Sequence, residues 1–217
     1  SSQNIKASFA LGGITAHMVK LHEEGLIERL IDVQSFDRVA AESLKNNPMH
    51  KEVSANEYAS ADEPGSATHY LDIVIVSALE VDENFNVNVL VGSDGIIRGA
   101  IGGHPDTAAD SALSIIVCPL LRVRIPCVVE NVTTLITPGS TVDVVVTEYG
   151  IAVNPRRPEI AERLQKAGLN IVDIHALKNK AESIIGHAAP LPFGNKVVGV
   201  VMNRDGSVMD VIKNIEA

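Results

Sequence analysis

Short runs of β-branched residues, each closed off by a turn or by a segment of helical spacing, limit what this chain can fold into. Ile73-Val74-Ile75-Val76, Ile115 to Val117, Cys127 to Val129 and Val142 to Thr147 each read as a buried strand. Thr133 to Ile136 and Ile171 to Ile174 read as two more. Hydrophobic residues make up 46% of the chain but aromatics only 3%, and Trp is absent. The core is therefore built from Val, Ile, Leu and Ala, as in a sheet with helices on both faces. The expected class is α/β, with a mixed, largely parallel sheet flanked by helices. A length of 217 residues suits one large domain and allows a substantial core.

Charge and composition exclude several functions. A net charge of −9 argues against a nucleic-acid groove, which needs a basic face, and against an anionic membrane surface. No apolar run approaches the ~20 residues of a membrane span. The opening Ser1-Ser-Gln-Asn-Ile-Lys6 has neither the charged nor the apolar region of a signal peptide. Cys118 and Cys127 sit in apolar stretches and read as buried thiols, which fits a reduced, cytoplasmic protein. The seven histidines are scattered, and none has metal-ligand spacing with another His or Cys, so no metal site is expected.

The order of elements follows from local signals. Ser8 to Leu11 reads as a short strand running into Gly12-Gly13. A helix follows, with Ile14, Met18 and Leu21 on one face and Gly25 as its stop. Leu26 to Val33 is read as a strand ending near Asp32, and Ser35 as the cap of a helix to about Leu44, broken by Asn46-Asn47-Pro48. Met49 to Thr68 is a polar connection with one short strand. Farther on, Thr107 to Asp110 has capping-box form. Pro138-Gly139 is a turn, and Glu148-Tyr149-Gly150 closes the strand before it. Pro158 opens a helix with Ile160, Ala161 and Leu164 facing inward and Gly168 after its end. Another helix spans about Ala176 to Ile185. A hairpin, Val197 to Met202 with Val208 to Ile212, turns at Asn203-Arg-Asp-Gly206.

The stretch from Val76 to Asp106 carries the chemistry. Its first strand delivers Glu80 and Asp82. A second alternates Phe85, Val87, Val89 and Val91 with Asn84, Asn86 and Asn88. Gly92, Gly95, Gly99, Gly102 and Gly103 then crowd a short span. Strand, carboxylate, strand, glycine loop and helix start together can set a carboxylate opposite a row of backbone N–H groups, as acyl chemistry requires. The ordinary alternatives are a solvated strand end for the carboxylates and tight turns for the glycines. The loop is neither a Walker loop nor a dinucleotide fingerprint, and there is no Gly-x-Ser-x-Gly nucleophile turn. Arg156-Arg157 has the form of a phosphate or carboxylate fork, though such pairs are more often plain surface.

These residues resemble the citrate lyase alpha chain family, in its C-terminal half. The likeness rests on Asn4-Ile-Lys-Ala-Ser-Phe-Ala-Leu-Gly-Gly-Ile14, Asp32-Val-Gln-Ser-Phe36, Ser43-Leu-Lys-Asn-Asn-Pro48, Ser77-Ala-Leu-Glu-Val-Asp82 and Phe85-Asn-Val-Asn-Val89. It continues through Gly92-Ser-Asp-Gly95, Arg98-Gly-Ala-Ile-Gly-Gly-His104, Ile125-Pro126, Val129-Glu-Asn131 and Gly150-Ile-Ala-Val-Asn-Pro155.

The resemblance implies a CoA-transferase-like fold, with residues 1–217 as a single α/β domain, the second of two in the full subunit. It implies exchange of acetyl for citryl on a thioester, the thiol belonging to a dephospho-CoA-derived arm of an acyl carrier protein. No cofactor of the domain's own is implied. The partners implied are the N-terminal half of the alpha chain and the beta and gamma (acyl carrier) subunits of citrate lyase, with no nucleic acid and no membrane. Glu80, Gly102 and Gly103 are the expected catalytic positions. Asn84, Asn88, Gly99 and His104 are the expected substrate- or CoA-binding positions. Related CoA-transferases use a glutamate at the position of Glu80 as nucleophile, whereas the citrate lyase branch is thought to let citrate attack directly. Where the relatives usually have Gln after the glycines, this chain has His104. A broader acyl-CoA transferase or hydrolase, or an interaction domain without catalysis of its own, are the alternatives.

Overall fold

The computed structural model describes residues 5–60, 63–92, 94–187 and 191–216. Ser1 to Asn4, on which the signal-peptide reading partly rests, lie outside the described residues. So do Ala61 and Asp62 of the polar connection and Ser93 of the glycine segment. The chain divides into two compact units, Ser1–Tyr70 and Leu71–Ala217. Among the described residues no helix is long and apolar enough to cross a membrane.

The first unit is a β-α-β-α-β pattern. Strands β1 (Ala10–Ile14), β2 (Leu30–Ser35) and β3 (His50–Glu52) pair in parallel, in the order β1-β2-β3. Helices α1 (Ala16–Glu23) and α2 (Arg38–Asn46) make the crossovers, as parallel pairing requires. Ile14, Val19, Ile27, Leu30 and Ala40 form its core.

Three expectations change in this unit. β1 runs through Gly12-Gly13 with a register shift between them, so Ile14 is a buried strand residue and not part of the helix face. Ser35 belongs to β2 and donates to Asp32. The cap of α2 is Asp37, whose carboxylate accepts the Ala40 N–H at 2.9 Å. The polar connection holds its one short strand and helical turns as well. Besides β3 it forms α3 (Ala55–Tyr58), opened by a Ser54–Glu57 capping box, and a 3₁₀ turn, Ala67–Tyr70.

The second unit contains, in chain order, β4 (Ile73–Ser77), β5 (Glu80–Asp82), β6 (Val87–Asn88), α4 (His104–Asp110), β7 (Leu113–Val117), β8 (Leu121–Arg122), β9 (Ile125–Pro126) and β10 (Val128–Val129). It continues with β11 (Val144–Thr147), β12 (Gly150–Val153), α5 (Pro158–Lys166), α6 (Ile174–Ile185), β13 (Phe193–Met202) and β14 (Val208–Ile215). Its main sheet has the order β12-β11-β7-β4. β4, β7 and β11 are parallel and β12 is antiparallel, the mixed, largely parallel arrangement expected. A smaller sheet, β10-β5-β6, lies in the same core, where Val81, Val87 and Val128 join Ile116, Leu120, Val145 and Leu177.

The differences here have physical causes. β4 is an edge strand with Ile73 and Ile75 exposed, so it is not buried on both faces. The strand expected through Phe85 to Val91 shrinks to β6, because Phe85 takes φ 65° and the chain turns there. Thr133 to Ile136 form no strand. Their N–H groups go singly to Glu80, Asp210 and the Val87 carbonyl. Ile171 makes only an isolated bridge to Ile151, and Ile174 already starts α6. Cys127 falls between β9 and β10. β12, not anticipated, folds back on β11 through Glu148-Tyr149. α4 begins at His104, with Gly103 as its N-cap and Pro105 in its first turn, rather than at Thr107. The Thr107 hydroxyl instead donates to the Gly103 carbonyl at 2.9 Å.

Candidate functional site

β5 buries both carboxylates of the Glu80–Asp82 pair, at 1% and 2% exposure, which removes the solvated strand end as an explanation. They are held differently. Asp82 closes its own turn: one oxygen accepts the N–H groups of Asn84 and Asn86, each at 2.9 Å, and the other accepts the Asn86 side-chain amide at 3.0 Å. Glu80 is held from a distance in sequence. One oxygen accepts the Thr133 N–H at 2.7 Å and the Asn88 amide at 2.8 Å, and the other accepts the Thr133 hydroxyl at 3.0 Å. Every oxygen of the two buried side chains thus has a donor, as burial of such a group requires.

Asn88 sits directly opposite Glu80 in the β5–β6 ladder. Its carbonyl oxygen accepts the N–H groups of Leu90 at 2.8 Å and Val91 at 3.1 Å, and its amide also reaches the Val91 carbonyl. It thus ties the carboxylate to the start of the glycine segment. Asn84, by contrast, is exposed, and its side chain takes no part in this bridge. Asn86 carries more than the alternation suggested, since its carbonyl oxygen also accepts the Gly139 N–H at 2.9 Å.

The glycine segment folds back on the same strand. Arg98 donates its N–H to the Leu90 carbonyl at 2.8 Å. Gly99 lies so close that an added Cβ would stand 2.2 Å from the Val89 carbonyl oxygen, so only glycine permits this approach. Gly102 takes φ +51°, with open space where a Cβ would be. Gly103 caps α4. Arg98 also forms an ion pair with Asp94, whose carboxyl is held down at about 2 chiefly by that guanidinium.

His104 joins this segment to the main sheet. Its Nε2 lies 2.9 Å from the Ser77 carbonyl and its Nδ1 2.7 Å from the Thr137 hydroxyl. A carbonyl only accepts, so Nε2 carries the proton, and in the neutral ring Nδ1 accepts from Thr137. Burial lowers the pKa of this imidazole, opposed by the bond to Ser77. Both ring nitrogens are engaged, so His104 fastens the end of β4 to the start of α4. On the far side, Arg204 at the tip of the β13–β14 hairpin pairs with Asp106 of α4 at 3.0 Å.

The structure therefore gathers Glu80, Asn88, Gly99 and His104 around one scaffold, with Gly102 and Gly103 leading into α4. Thr133 and Thr137 complete it. They lie 53 and 33 residues from their partners in the chain, and only tertiary folding brings them in. Arg157 does not offer a free fork, since Asp143 at 2.6 Å and Glu159 at 2.7 Å occupy it. Among the described residues no group of three or more His, Cys, Asp or Glu side chains is placed to hold a metal ion. Chemically, the arrangement offers a fixed carboxylate, a close-packed glycine turn and a short helix start.

The family model for citrate lyase, alpha subunit (CitF), matches residues 1–215. The citrate lyase alpha chain of Escherichia coli is 59% identical over 215 residues, which is 99% of this chain and 42% of that one. The corresponding chain of Haemophilus influenzae is 58% identical over 214 residues, 99% of this chain and 43% of its own length. A crystal structure solved as the alpha subunit of citrate lyase from Streptococcus mutans, in complex with citrate, matches with a TM-score of 0.96 at 51% identity. That match covers 99% of this chain and 42% of the other. A malonate decarboxylase alpha subunit from Acinetobacter baumannii matches with a TM-score of 0.56 at 13% identity, over 83% of this chain and 46% of its own, and this likeness concerns the fold alone. The chain spans less than half the length of the curated relatives it matches.

Proposed function

Because the chain belongs to the citrate lyase alpha-subunit family, we propose that it is the second of two α/β domains in a cytoplasmic transferase subunit that exchanges acetyl for citryl on a thioester. Citrate and the acetyl thioester give the citryl thioester and acetate. The thioester is borne on a dephospho-CoA-derived arm of an acyl carrier protein, the gamma subunit, and the citryl product passes to the beta subunit. The observation that carries this reading is the family match from residue 1 to residue 215. The citrate held by the Streptococcus mutans relative supports the choice of acid.

Two routes reach the same products. In one, the Glu80 carboxylate attacks the acetyl carbonyl and expels the thiolate, leaving an acetyl-glutamyl anhydride; the thiolate then attacks the glutamyl carbonyl and releases acetate, and citrate displaces it from the glutamyl thioester to form a citryl-glutamyl anhydride, whose citryl carbonyl takes the thiolate back and frees Glu80. In the other, a citrate carboxylate oxygen attacks the acetyl carbonyl directly. The thiolate leaves, the acetyl-citryl anhydride forms, and the thiolate returns to the citryl carbonyl while acetate departs. The geometry favours the second. Glu80 is buried and both its oxygens accept hydrogen bonds, so it is held in place rather than presented as a free nucleophile. Its role is to orient the segment through Asn88 and Thr133. Gly102 and Gly103 let the backbone approach the thioester oxygen, where N–H donors steady the developing oxyanion.

The test uses the complete subunit with acetyl-CoA and citrate. Borohydride is added after acetyl-CoA, and the peptide holding Glu80 is read by mass spectrometry for reduction of a glutamyl thioester. No adduct is expected. Glu80→Gln keeps the shape and removes the charge, and the rate is expected to fall by about a hundredfold as positioning is lost. A trapped adduct on Glu80 would overturn the direct route. An undiminished rate in Glu80→Gln would remove the residue from the mechanism.

A further inference from the structure

Glu80 is sealed from solvent, but the residue that holds it is not. Thr133, which binds Glu80 through its N–H and its hydroxyl, also lines a half-open cleft of about 610 Å³. The volume lies in the range of small-molecule sites. Val91 and Ile97 of the glycine segment give part of its apolar lining, and side chains of the β13–β14 hairpin, Phe193, Val198 and Ile215 among them, give the rest. The hairpin is fixed where it meets the cleft floor, because Asp210 accepts the Leu135 N–H at 2.7 Å. It is fixed again at its tip by the Arg204–Asp106 pair.

The charge of the cleft narrows its ligand. Among the described residues that line it, Lys213 is the one cation and Asp210 the one anion. Both oxygens of Asp210 are already taken, by the N–H groups of Leu135 and Val211. A tricarboxylate would meet one exposed lysine, a half-buried carboxylate of its own sign and apolar walls. A neutral chain bearing amides meets what it needs: apolar walls along its length and a few polar partners, Thr133, Thr134 and Asn214.

We propose that this cleft takes the amide-bearing arm of the thioester substrate, leads its acyl end to Thr133 beside Glu80, and excludes the free acid. The proposal rests on the acyl-transfer reading. It deepens that reading, since an acid shut out of the cleft reaches the thioester by another path and both substrates are bound at once, as direct attack requires. Lys213, exposed on the hairpin, is placed to meet the phosphate-bearing end of the arm.

The complete subunit tests this with two thioesters, acetyl-CoA and S-acetylpantetheine, the second lacking the nucleotide. Val198 and Ile97 are more than half exposed, so Val198→Trp and Ile97→Trp fill the cleft from two elements without entering the core. Each is expected to raise KM for both thioesters about tenfold, far more than it lowers kcat, while KM for citrate stays within about twofold. Lys213→Ala is expected to raise KM for acetyl-CoA and not for S-acetylpantetheine. Calorimetric binding of S-acetylpantetheine, measured in parallel, separates the two levels of the argument. Undiminished binding and KM in both Trp variants would overturn the cleft, as would an equal rise in KM for citrate. Wild-type subunit that binds S-acetylpantetheine, loses it in the Trp variants and transfers nothing to citrate would sustain the cleft and overturn the acyl-transfer reading.

Discussion

At the scale of single residues, His104 is a side chain whose surroundings only the structure supplies. Its ring is held by two internal partners, Ser77 and Thr137. Burial lowers its pKa, which fixes the sign of a pH effect. The folded state resists protonation that the unfolded chain accepts, so the unfolded chain binds more protons as pH falls below about 6.5. The stability is fully present above that pH and is lost as pH falls toward the depressed folded value. Denaturation midpoints measured from pH 7.5 to 5 should therefore drop in the wild type, and His104→Gln should flatten part of that slope. An identical slope in the variant would mean that His104 is not the group responsible. Glu80 was legible because it stood at a strand end before a glycine run. Its partners were not. Asn88 follows from the alternation only once β5 and β6 are known to pair. Thr133 lies in a stretch whose apolar run pointed to a strand.

Among the elements, the β8–β9 hairpin holds a conflict of its own. Val123 sits at its tip with φ 59° and 96% exposure. A β-branched residue in this region costs about 1–2 kcal/mol, and at such exposure no packing offsets it. Val123→Gly should relieve the turn and stabilise the chain by about 1 kcal/mol, net of the added freedom of the unfolded state. A thermal melt should rise by about 2–4 °C, and an unchanged or lower midpoint would count against strain there. The same contrast explains which elements were readable. β4, β7, β11, α5, α6 and the β13–β14 hairpin follow from periodicity and from Pro158, Gly168 and Asp205-Gly206, signals that lie within each element. β12 and α4 depend on neighbours. β12 exists because β11 offers it a paired edge. α4 starts early because Pro105 is accepted in a first turn and His104 is fastened to Ser77 and Thr137. The strand expected at Thr133 to Ile136 failed because two side-chain carboxylates took N–H groups that a ladder would have used.

For the molecule as a whole, the main sheet of the second unit poses the question of what covers it. A parallel sheet is ordinarily buried on both faces. On one face here, Val74 and Val76 of β4 stand beside Ser114 and Ile116 of β7, and the latter two are buried. On the other face, Ile73 is 54% exposed, Ile75 65% and Val117 44%. The curated relatives run to more than twice this length, so further chain is at hand in them to cover such a face. The expectation is that Ile75 is buried in the complete subunit and open in the 217-residue chain. Ile75→Ser should then cost about 2 kcal/mol in the complete subunit, the loss of a buried isoleucine side chain. In the 217-residue chain alone it should change stability by no more than about 0.5 kcal/mol, as an exposed substitution does. Urea denaturation of the four proteins measures both differences. Equal costs in the two contexts would mean that the rest of the subunit leaves this face uncovered, and that the exposed isoleucines of β4 answer to some other contact.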